Sequence, residues 1–425
     1  MSENWTGQTF EADLGKPGHG GFVVARHEGR VVFVRHGLPG ERALVRVTED
    51  KGGSFARADA ISILEASPHR IDPTCPIAGP GGAGCCDYSH ADLQIQREMK
   101  SSVVREQLQR LAGVESDVDV EELPGTGDGT GWRTRVRLAV DGNGEAGYHG
   151  YRSNRIVTDL RCTQIEQRAY DGLAGPQWTP GSELQVVLDS AGETHVVEIS
   201  APKVSKAGRG APGRRGATAR RAASSGPRKT RVALGSDTVL ERVGSREWAL
   251  SATGFWQAHR GAAQAYSRVV RDWAGVDSGA TAWDLYGGVG VFAAVLADLV
   301  GPTGIVESVE FSAQAVKDGR AALSDLEQVR FHSERVEKIV GAAAPLAPAP
   351  GVVVLDPPRA GAGRAVVEAI ASTGTERVIH IGCDPASFGR DIGLYLEQGF
   401  RLGGLRAFDA FPQTHHVECV ALLER

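Results

Sequence analysis

No stretch of eighteen apolar residues occurs in this 425-residue chain, which therefore offers no candidate membrane-spanning helix. The opening residues, Met1 to Phe10, lack the basic-then-apolar pattern of a secretory signal. Charge of one sign is not in excess either. A net charge of −5 gives no global attraction to nucleic acid, so any such contact must come from local patches. Six cysteines in a chain this long do not make a disulfide scaffold. These absences point to a soluble, cytoplasmic protein, long enough for roughly two or three domains with a sizeable core. The cysteines are instead grouped: Cys75, Cys85, Cys86 and Cys162 early, Cys383 and Cys419 late.

One stretch organises the rest: TAWDLYGGVGVFAAVLADLVGPTGIVESVEF, residues 281–311. The apolar run Thr281-Ala282-Trp283 ends in Asp284-Leu285-Tyr286 and breaks at Gly287-Gly288-Val289-Gly290. A helix-compatible run to Val300 follows, then a second apolar run ending at Glu310. Strand, glycine turn, helix, strand and acid form the βαβ unit of a doubly wound sheet, whose ligands bind beyond the carboxyl ends of the strands. Glycines let the backbone approach a ligand closely, and a carboxylate ending the next strand can hold both ribose hydroxyls. The third glycine of the dinucleotide pattern is missing, and Asp284 crowds the turn. A carboxylate there suits a pyrophosphate poorly and a cationic cofactor well, which favours S-adenosylmethionine over NAD. Alone, the turn also fits plain α/β packing.

Residues 6–64 alternate apolar and polar positions, as in Arg30-Val31-Val32-Phe33-Val34, between turn signals. Several strands in so few residues predict a small barrel, a shape that commonly binds oligonucleotides. Arg26, Arg30, Arg35, Arg42, Arg46, Lys51 and Arg57 can supply a basic face, or simply a solvated one. The segment GHGGFVVARHEGRVVFVRHGLPGERALVRVTEDKGGSFARADAISIL resembles a TRAM domain, the RNA-binding barrel appended to RNA-modifying enzymes. A Pro/Gly-rich loop follows, then a helix from about Ala91 to Ala112. Arg133, Arg135 and Arg137 alternate, which predicts a cationic strand face suited to RNA phosphate or to edge solubility. From Lys203 to Arg231 the chain has ten Lys/Arg, no acid and little that is large and apolar. Such a stretch cannot bury a core and reads as a disordered insertion.

Three later stretches carry chemistry. Val352-Val353-Val354-Leu355 ends in Asp356-Pro357-Pro358-Arg359, and Val378-Ile379-His380-Ile381-Gly382 ends in Cys383-Asp384-Pro385. Phe411-Pro412-Gln413-Thr414-His415-His416-Val417-Glu418 opens the last strand. By the switch-point rule a thiol, a carboxylate and a polar loop converge at one sheet edge. They can solve the alkylation of uracil C5, a poor nucleophile until a thiolate adds to C6. A base must then remove the C5 proton so that the thiol leaves. Cys383, on a turn after a strand, can be exposed and thiolate-favoured. Glu418 is the candidate base. Singly, Cys383 reads equally as a buried small hydrophobe and Glu418 as a paired surface acid.

From Ser251 to Arg425 the chain resembles the RNA 5-methyluridine methyltransferases, a class I S-adenosylmethionine family. The matching segments are GFWQAH, DLYGGVGVF, SVEFSAQAV, LDPPRAG, IGCDPASFGRD and FPQTHHVE, in order. The resemblance implies that Gln257 and Tyr286 contact the cofactor, Glu310 takes the ribose hydroxyls and Asp356 lies between cofactor and base. It makes Cys383 the nucleophile and Glu418 the proton-abstracting base. Gly287 stands where the family has Cys, which is tolerable if only backbone is needed. Arg335 stands at a position that often carries Asn near the adenine, so that contact is not carried over. Many relatives hold a four-iron cluster on a C-x5-C-x2-C segment and a later cysteine. Here Cys75 is followed by the vicinal pair Cys85-Cys86, Ala83 replaces one expected ligand, and Cys162 matches the later one. A [4Fe-4S] cluster, a zinc site and free thiols all stay open.

The expectation is an α/β protein of three parts. These are a TRAM-like OB barrel (1–65), a β-rich central RNA-binding domain with the cysteine loop (66–250) and a doubly wound Rossmann-like methyltransferase domain (251–425). Its substrate would be a uridine in structured RNA, ribosomal or transfer, flipped into the pocket. A cytosine-5 methyltransferase and a catalytically inactive RNA-binding protein are the alternatives. Glu418 argues against the first, and the pair Cys383 and Glu418 against the second. No membrane and no obligate protein partner is implied.

Overall fold

The computed structural model describes residues 4–425 except 126, 174, 176, 203–227, 342–345 and 348. Strands β1 (Thr9–Asp13), β2 (Pro17–Gly18), β3 (Phe22–His27), β4 (Arg30–Arg35), β5 (Arg42–Asp50) and β6 (Phe55–Glu65) form one sheet, order β1-β5-β6-β4-β3-β2. β1 pairs with β5, while its continuation hydrogen-bonds Val24 through Gly15 and Lys16, so one stretch of chain joins both edges of the barrel. Alternation explains the interior, which holds Val32 and Val34, Ala43, Val45 and Val47, and Ala56, Ala58 and Ala60.

Helix α1 (Leu93–Ala112) starts where the Asp92 side chain accepts from the Ile95 amide (2.8 Å) and stops at Gly113, which adopts φ +68°. Beyond it lie β7 (Val120–Glu122), β8 (Arg135–Val140), β9 (Ala146–His149), β10 (Ile156–Val157), β11 (Glu183–Leu188), β12 (Thr194–Ile199) and β13 (Thr230–Leu234). All but β7 form an antiparallel sheet, order β10-β9-β8-β11-β12-β13. Most of the predicted insertion, residues 203–227, lies outside the described residues. Its last part departs from expectation. Arg228 and Arg231 flank the start of β13 and pair with Glu183 (2.8 Å) and Glu198 (2.7 Å), because the neighbouring strands supply acids. The arginines predicted as a cationic face line one open groove together, Arg133, Arg135 and Arg137, but two of them are partly engaged within the protein. Arg135 is buried against Glu241 and donates to the Gly254 carbonyl, and Arg133 precedes the strand and bonds Gln164.

The hairpin β14 (Thr238–Val243) and β15 (Arg246–Ser251) leads to α2 (Ala262–Ala274) and the main sheet. Its strands are β16 (Thr281–Leu285), β17 (Ile305–Glu310), β18 (Val329–Ser333), β19 (Val352–Leu355), β20 (Arg377–Gly382), β21 (Arg401–Asp409) and β22 (Glu418–Glu424). Between them run α3 (Val291–Val300), α4 (Ala313–Ala322), the short α5 (Val336–Ile339), α6 (Arg364–Ser372) and α7 (Pro385–Glu397). The order β18-β17-β16-β19-β20-β22-β21-β7 puts the switch point between β16 and β19, so the loops after those strands face one another.

The edge strand β7 comes from the segment assigned by sequence to the central domain. It pairs parallel with β21, and Arg406 grips Glu121 at 2.6 Å. Three residues carry too little periodicity to have been assigned. Strict alternation divides the sheet's two cores. Ala282, Val352, Val354, Ile379, Ile381, Phe408 and Val420 pack with α2 and α3, while Trp283, Val353, Leu355, Ala407, Cys419 and Ala421 pack with α1, α6 and α7. Among the described residues no helix is long and apolar enough to cross a membrane.

Candidate active site

The glycine turn after β16 has the backbone that its sequence demands. Tyr286, Gly288 and Gly290 all take positive φ, +60°, +56° and +80°. A Cβ on Gly287 would collide with the Asp284 carboxylate and the Ser308 hydroxyl, so this chain has no room for a side chain there. Asp284 lies beneath the turn, not in it: it is fully buried and accepts from the Ala293 amide (3.1 Å) and the Ser308 hydroxyl (3.2 Å). Burial lifts its carboxyl to about 7. Glu310, at the tip of β17, accepts from the Gly288 amide (3.2 Å) and the Ser312 amide (2.6 Å). The acid and the glycine turn are therefore in direct contact. Arg335 stacks 4.8 Å above the ring of Phe311, the exposed residue that follows Glu310.

A cleft with about 480 Å³ of open space runs over this turn, lined by Phe255, Gln257, Ala263, Tyr286, Gly288 and Asp356 among others. Gln257, Tyr286 and Asp356 thus come together, with Glu310 held at the rim through Gly288. The walls are mostly apolar, and the acids stand at the two strand ends, a distribution suited to a nucleoside carrying a cationic centre.

Beyond the cleft the three later stretches meet as expected. Asp356 and Glu418 continue the alternation of β19 and β22 onto the α2 side of the sheet. Glu418 is buried, and its Oε1 has no hydrogen-bond partner. Burial, then the nearby Asp356, push its carboxyl well above the ordinary range, while burial lifts Asp356 to about 7. The reading of Glu418 as a surface acid is thereby excluded. Cys383 is half-buried, and its thiol is not thiolate-favoured: burial, then Glu418 and Asp356, push it up to about 12. Sequence placed the thiol on an open turn but could not place two carboxylates beside it. Arg359 opposes them as the nearby cation and donates to His416 Nε2 at 3.4 Å.

A polar relay ties the barrel to these loops. Arg35 donates to Asp87 at 2.9 Å, and Asp87 contacts His415 Nδ1 at 2.6 Å, the first two being almost wholly buried. Burial alone would raise Asp87, but the bond to His415 and the charge of Arg35 hold it below its usual value. On the other loop His19 Nε2 lies 3.0 Å from Asp384, whose second oxygen accepts from the Ala386 and Ser387 amides and caps α7. Gly18, His19 and Gly20 of the barrel line a narrow cavity with Cys383, His415 and His416. These partners were missed in the sequence because each contact joins segments far apart in the chain.

The barrel's basic face is largely neutralised. Arg30 pairs with Asp50, Arg35 with Asp87, Arg42 with Glu11, and Lys51 and Arg57 with Glu49, leaving Arg26 and Arg46 without an ion pair among the described residues. The early cysteines do converge. The sulfurs of Cys75, Cys86 and Cys162 lie within 4.8 Å of one another, all buried, and Cys85 stands within hydrogen-bond reach of Cys86 and Cys162. Gln164 Nε2 approaches the Cys86 sulfur at 3.0 Å. Three clustered thiols, with Cys85 beside two of them and an amide donor nearby, fit the demands of a thiolate-held metal group.

Known proteins agree with this architecture. Residues 5–61 match the TRAM domain model, and residues 348–425 match the model of the tRNA (uracil-5-)-methyltransferases. An uncharacterized RNA methyltransferase of Corynebacterium efficiens is 42% identical over 99% of this chain and 95% of its own. One from Streptomyces avermitilis is 39% identical over 98% of each chain. The chain belongs to the RNA uracil-C5 methyltransferase family. Its fold is that of the Pyrococcus abyssi tRNA (uracil-54, C5)-methyltransferase solved with S-adenosyl-L-homocysteine, at TM-score 0.69 and 21% identity, covering 97% of this chain and 99% of that one. As a family member the protein is an S-adenosylmethionine-dependent RNA methyltransferase.

Proposed function

We propose that the protein methylates C5 of a uridine in structured RNA, ribosomal or transfer, through a covalent bond between Cys383 and C6. The observation that carries this reading is the meeting of Cys383, Glu418 and Asp356 at one sheet edge beside the cofactor cleft. Gln257 and Tyr286 hold the cofactor, Glu310 takes its ribose hydroxyls, and Asp356 stands between it and the base. S-adenosylmethionine, when bound, supplies a methyl group on a sulfonium centre. Cys383 loses its proton to solvent and its sulfur pair forms the bond to C6. The C5–C6 π pair is thereby freed, and C5 would take the methyl as the S–CH3 pair stays on the donor sulfur, leaving a neutral thioether. Glu418 then accepts the C5 proton, the C5–H pair re-forms the C5–C6 double bond, and the C6–S pair returns to sulfur. The site crowds three acids together, and charge on Glu418 or Asp356 disfavours charge on Cys383. Once the sulfur is bound to carbon its charge is gone, and Glu418 can ionise. The test is nucleoside mass mapping of 5-methyluridine in total RNA from cells with and without the protein. An unchanged map refutes the reading.

The barrel's aromatics support RNA contact better than its charges do. Phe22, Phe33 and Phe55 form a row with centroids 5.8 and 5.6 Å apart that leads from buried Phe22 to the surface at Phe55, whose exposed ring has Arg57 5.1 Å over it. Bases stack on such a surface. Phe55→Ala is expected to weaken RNA binding by about 1–3 kcal/mol with little change in its salt dependence, since no phosphate contact is lost. Fluorescence anisotropy at several salt concentrations measures both. An equal affinity, or a flattened salt slope alone, would assign binding to charge.

The four early thiols are proposed to hold a metal group, iron–sulfur or zinc, that pins the Pro/Gly loop to the strands around Cys162. Methyl transfer needs no electron, so the group's part would be structural. Anaerobically purified protein should be brown with about four irons for a cluster, or colourless with about one zinc for a single ion. Four freely titrating thiols without metal would leave the loop as ordinary packing. The enzyme's RNA is expected to be met in the cytoplasm.

A further inference from the structure

Tyr266 is the largest buried polar group near the active site without an assigned task. It sits on α2, one turn beyond Ala263, which lines the cofactor cleft. The side chain is fully buried, yet its hydroxyl has no hydrogen-bond partner. A phenol in that position usually finds one, because an unpaired buried hydroxyl is costly. The ring packs on Phe408, at 5.7 Å between centroids. Phe408 is the direct cross-strand partner of Glu418, so both side chains leave the sheet on the face that α2 covers. Glu418 Oε1 is likewise unpaired there, as are Ser267 Oγ on α2 and Asp284 Oδ1 near the end of β16. One buried donor and one buried acceptor, each unpaired, thus stand on the same face around the same phenylalanine.

We propose that Tyr266 is a positioning residue whose hydroxyl donates a hydrogen bond to the Glu418 carboxylate when that group acts as base. The inference rests on the reading of Glu418 as the base of a uracil-C5 methylation. A base must be ionised to take a proton, and burial and Asp356 disfavour charge on Glu418, with Arg359 the nearby cation that favours it. Because Tyr266 is neutral, its O–H can stabilise the carboxylate without adding another charge to the pocket. The same bond fixes which oxygen faces the C5 proton. The burial of the phenol among these groups keeps it in its donating form, its own ionisation being pushed well up by burial and by Glu418.

Tyr266→Phe keeps the ring and removes only the oxygen. Covalent protein–RNA complex is formed with RNA and S-adenosylmethionine, and its decay is followed from pH 6 to pH 9 in wild-type and variant full-length protein. The expected result is decay slowed about tenfold or more near neutrality, with the rise of rate with pH displaced to higher pH. Removing a donor to the charged form raises the pKa of Glu418, so a higher pH is needed to ionise it. S-adenosylmethionine affinity should stay within about twofold, and the melting temperature should not fall, since the lost hydroxyl makes no bond in the resting protein. Decay with the wild-type rate and pH profile would overturn the role of Tyr266 alone. So would a slowed rate accompanied by equal losses of cofactor affinity and melting temperature, which would make the residue packing only. Absence of any covalent complex in wild type and in Glu418→Gln alike would instead overturn the uracil-C5 reading, and this inference with it.

Discussion

Cys383→Ala will lower methyl transfer by at least ~10⁴-fold while leaving S-adenosylmethionine binding within about twofold, in line with the loss of a nucleophile from other covalent mechanisms. The asymmetry follows from where the thiol stands. It shares the sheet edge with Glu418 and Asp356 but does not line the cleft over the glycine turn. Without sulfur at C6, the uracil C5 has no enolate character and does not attack an alkyl donor. The ionisation state sharpens the expectation. Burial and the two nearby acids push the thiol up to about 12, so the thiolate is a small minority at pH 7 in the resting protein. The wild-type attack step should therefore quicken as pH rises, with no plateau in the neutral range. Incorporation of labelled methyl into RNA, beside calorimetric titration of the cofactor, checks both halves. Full activity in the variant would dismiss the covalent mechanism.

The sequence carried the fold because its signals are local. The run from Thr281 to Glu310 holds a strand, a glycine turn, a helix and an acid within thirty residues, and each kept its place. The barrel was legible for the same reason, through alternation on β3 to β6. What the sequence concealed depends on distance. Strand β7 joins the main sheet by pairing residues nearly three hundred positions away, and no periodicity announces it. Seven cations of the barrel looked like an RNA-binding face because the acids that pair with Arg30, Arg35, Arg42 and Arg57, namely Asp50, Asp87, Glu11 and Glu49, lie on other strands or in the cysteine loop. Arg135 was one of three alternating arginines until Glu241 arrived from another hairpin.

The electrostatics of the site show the same limit from the other side. A thiol on a turn reads as open and reactive, and an acid beside two histidines reads as solvated. Only the fold brings Asp356, Cys383 and Glu418 to one edge, where Asp356 makes charge on Glu418 costly and both acids make it costly on Cys383. His415 was visible in its motif, yet its partner Asp87 and the barrel's Arg35 behind it were not. The barrel is thereby tied to the loop that carries the base, besides being an appendage that meets RNA.

Glu418→Gln will act differently in kind from Cys383→Ala: methyl transfer proceeds once, and a denaturant-stable protein–RNA complex accumulates. The amide matches the carboxylate in size but cannot accept the C5 proton, so elimination of Cys383 stalls after the methyl has arrived. Loss of a general base typically costs 10²–10⁴-fold, enough to turn a transient bond into a band on a denaturing gel. The raised pKa of Glu418 adds a test that needs no mutation. Below that pKa the group is neutral and cannot act as a base, so release is slow. Above it the carboxylate is present and release is fast. Complex formed by the wild-type protein at neutral pH and shifted to low pH should therefore persist, and should be released when the pH is raised again. The variant's complex should not be released. The double variant lacking Cys383 should form no complex at any pH, because the bond is to that sulfur. A complex that survives loss of Cys383 would remove both assignments, and a Glu418→Gln enzyme that turns over freely would move the base elsewhere, leaving Asp356 as the remaining acid at the sheet edge.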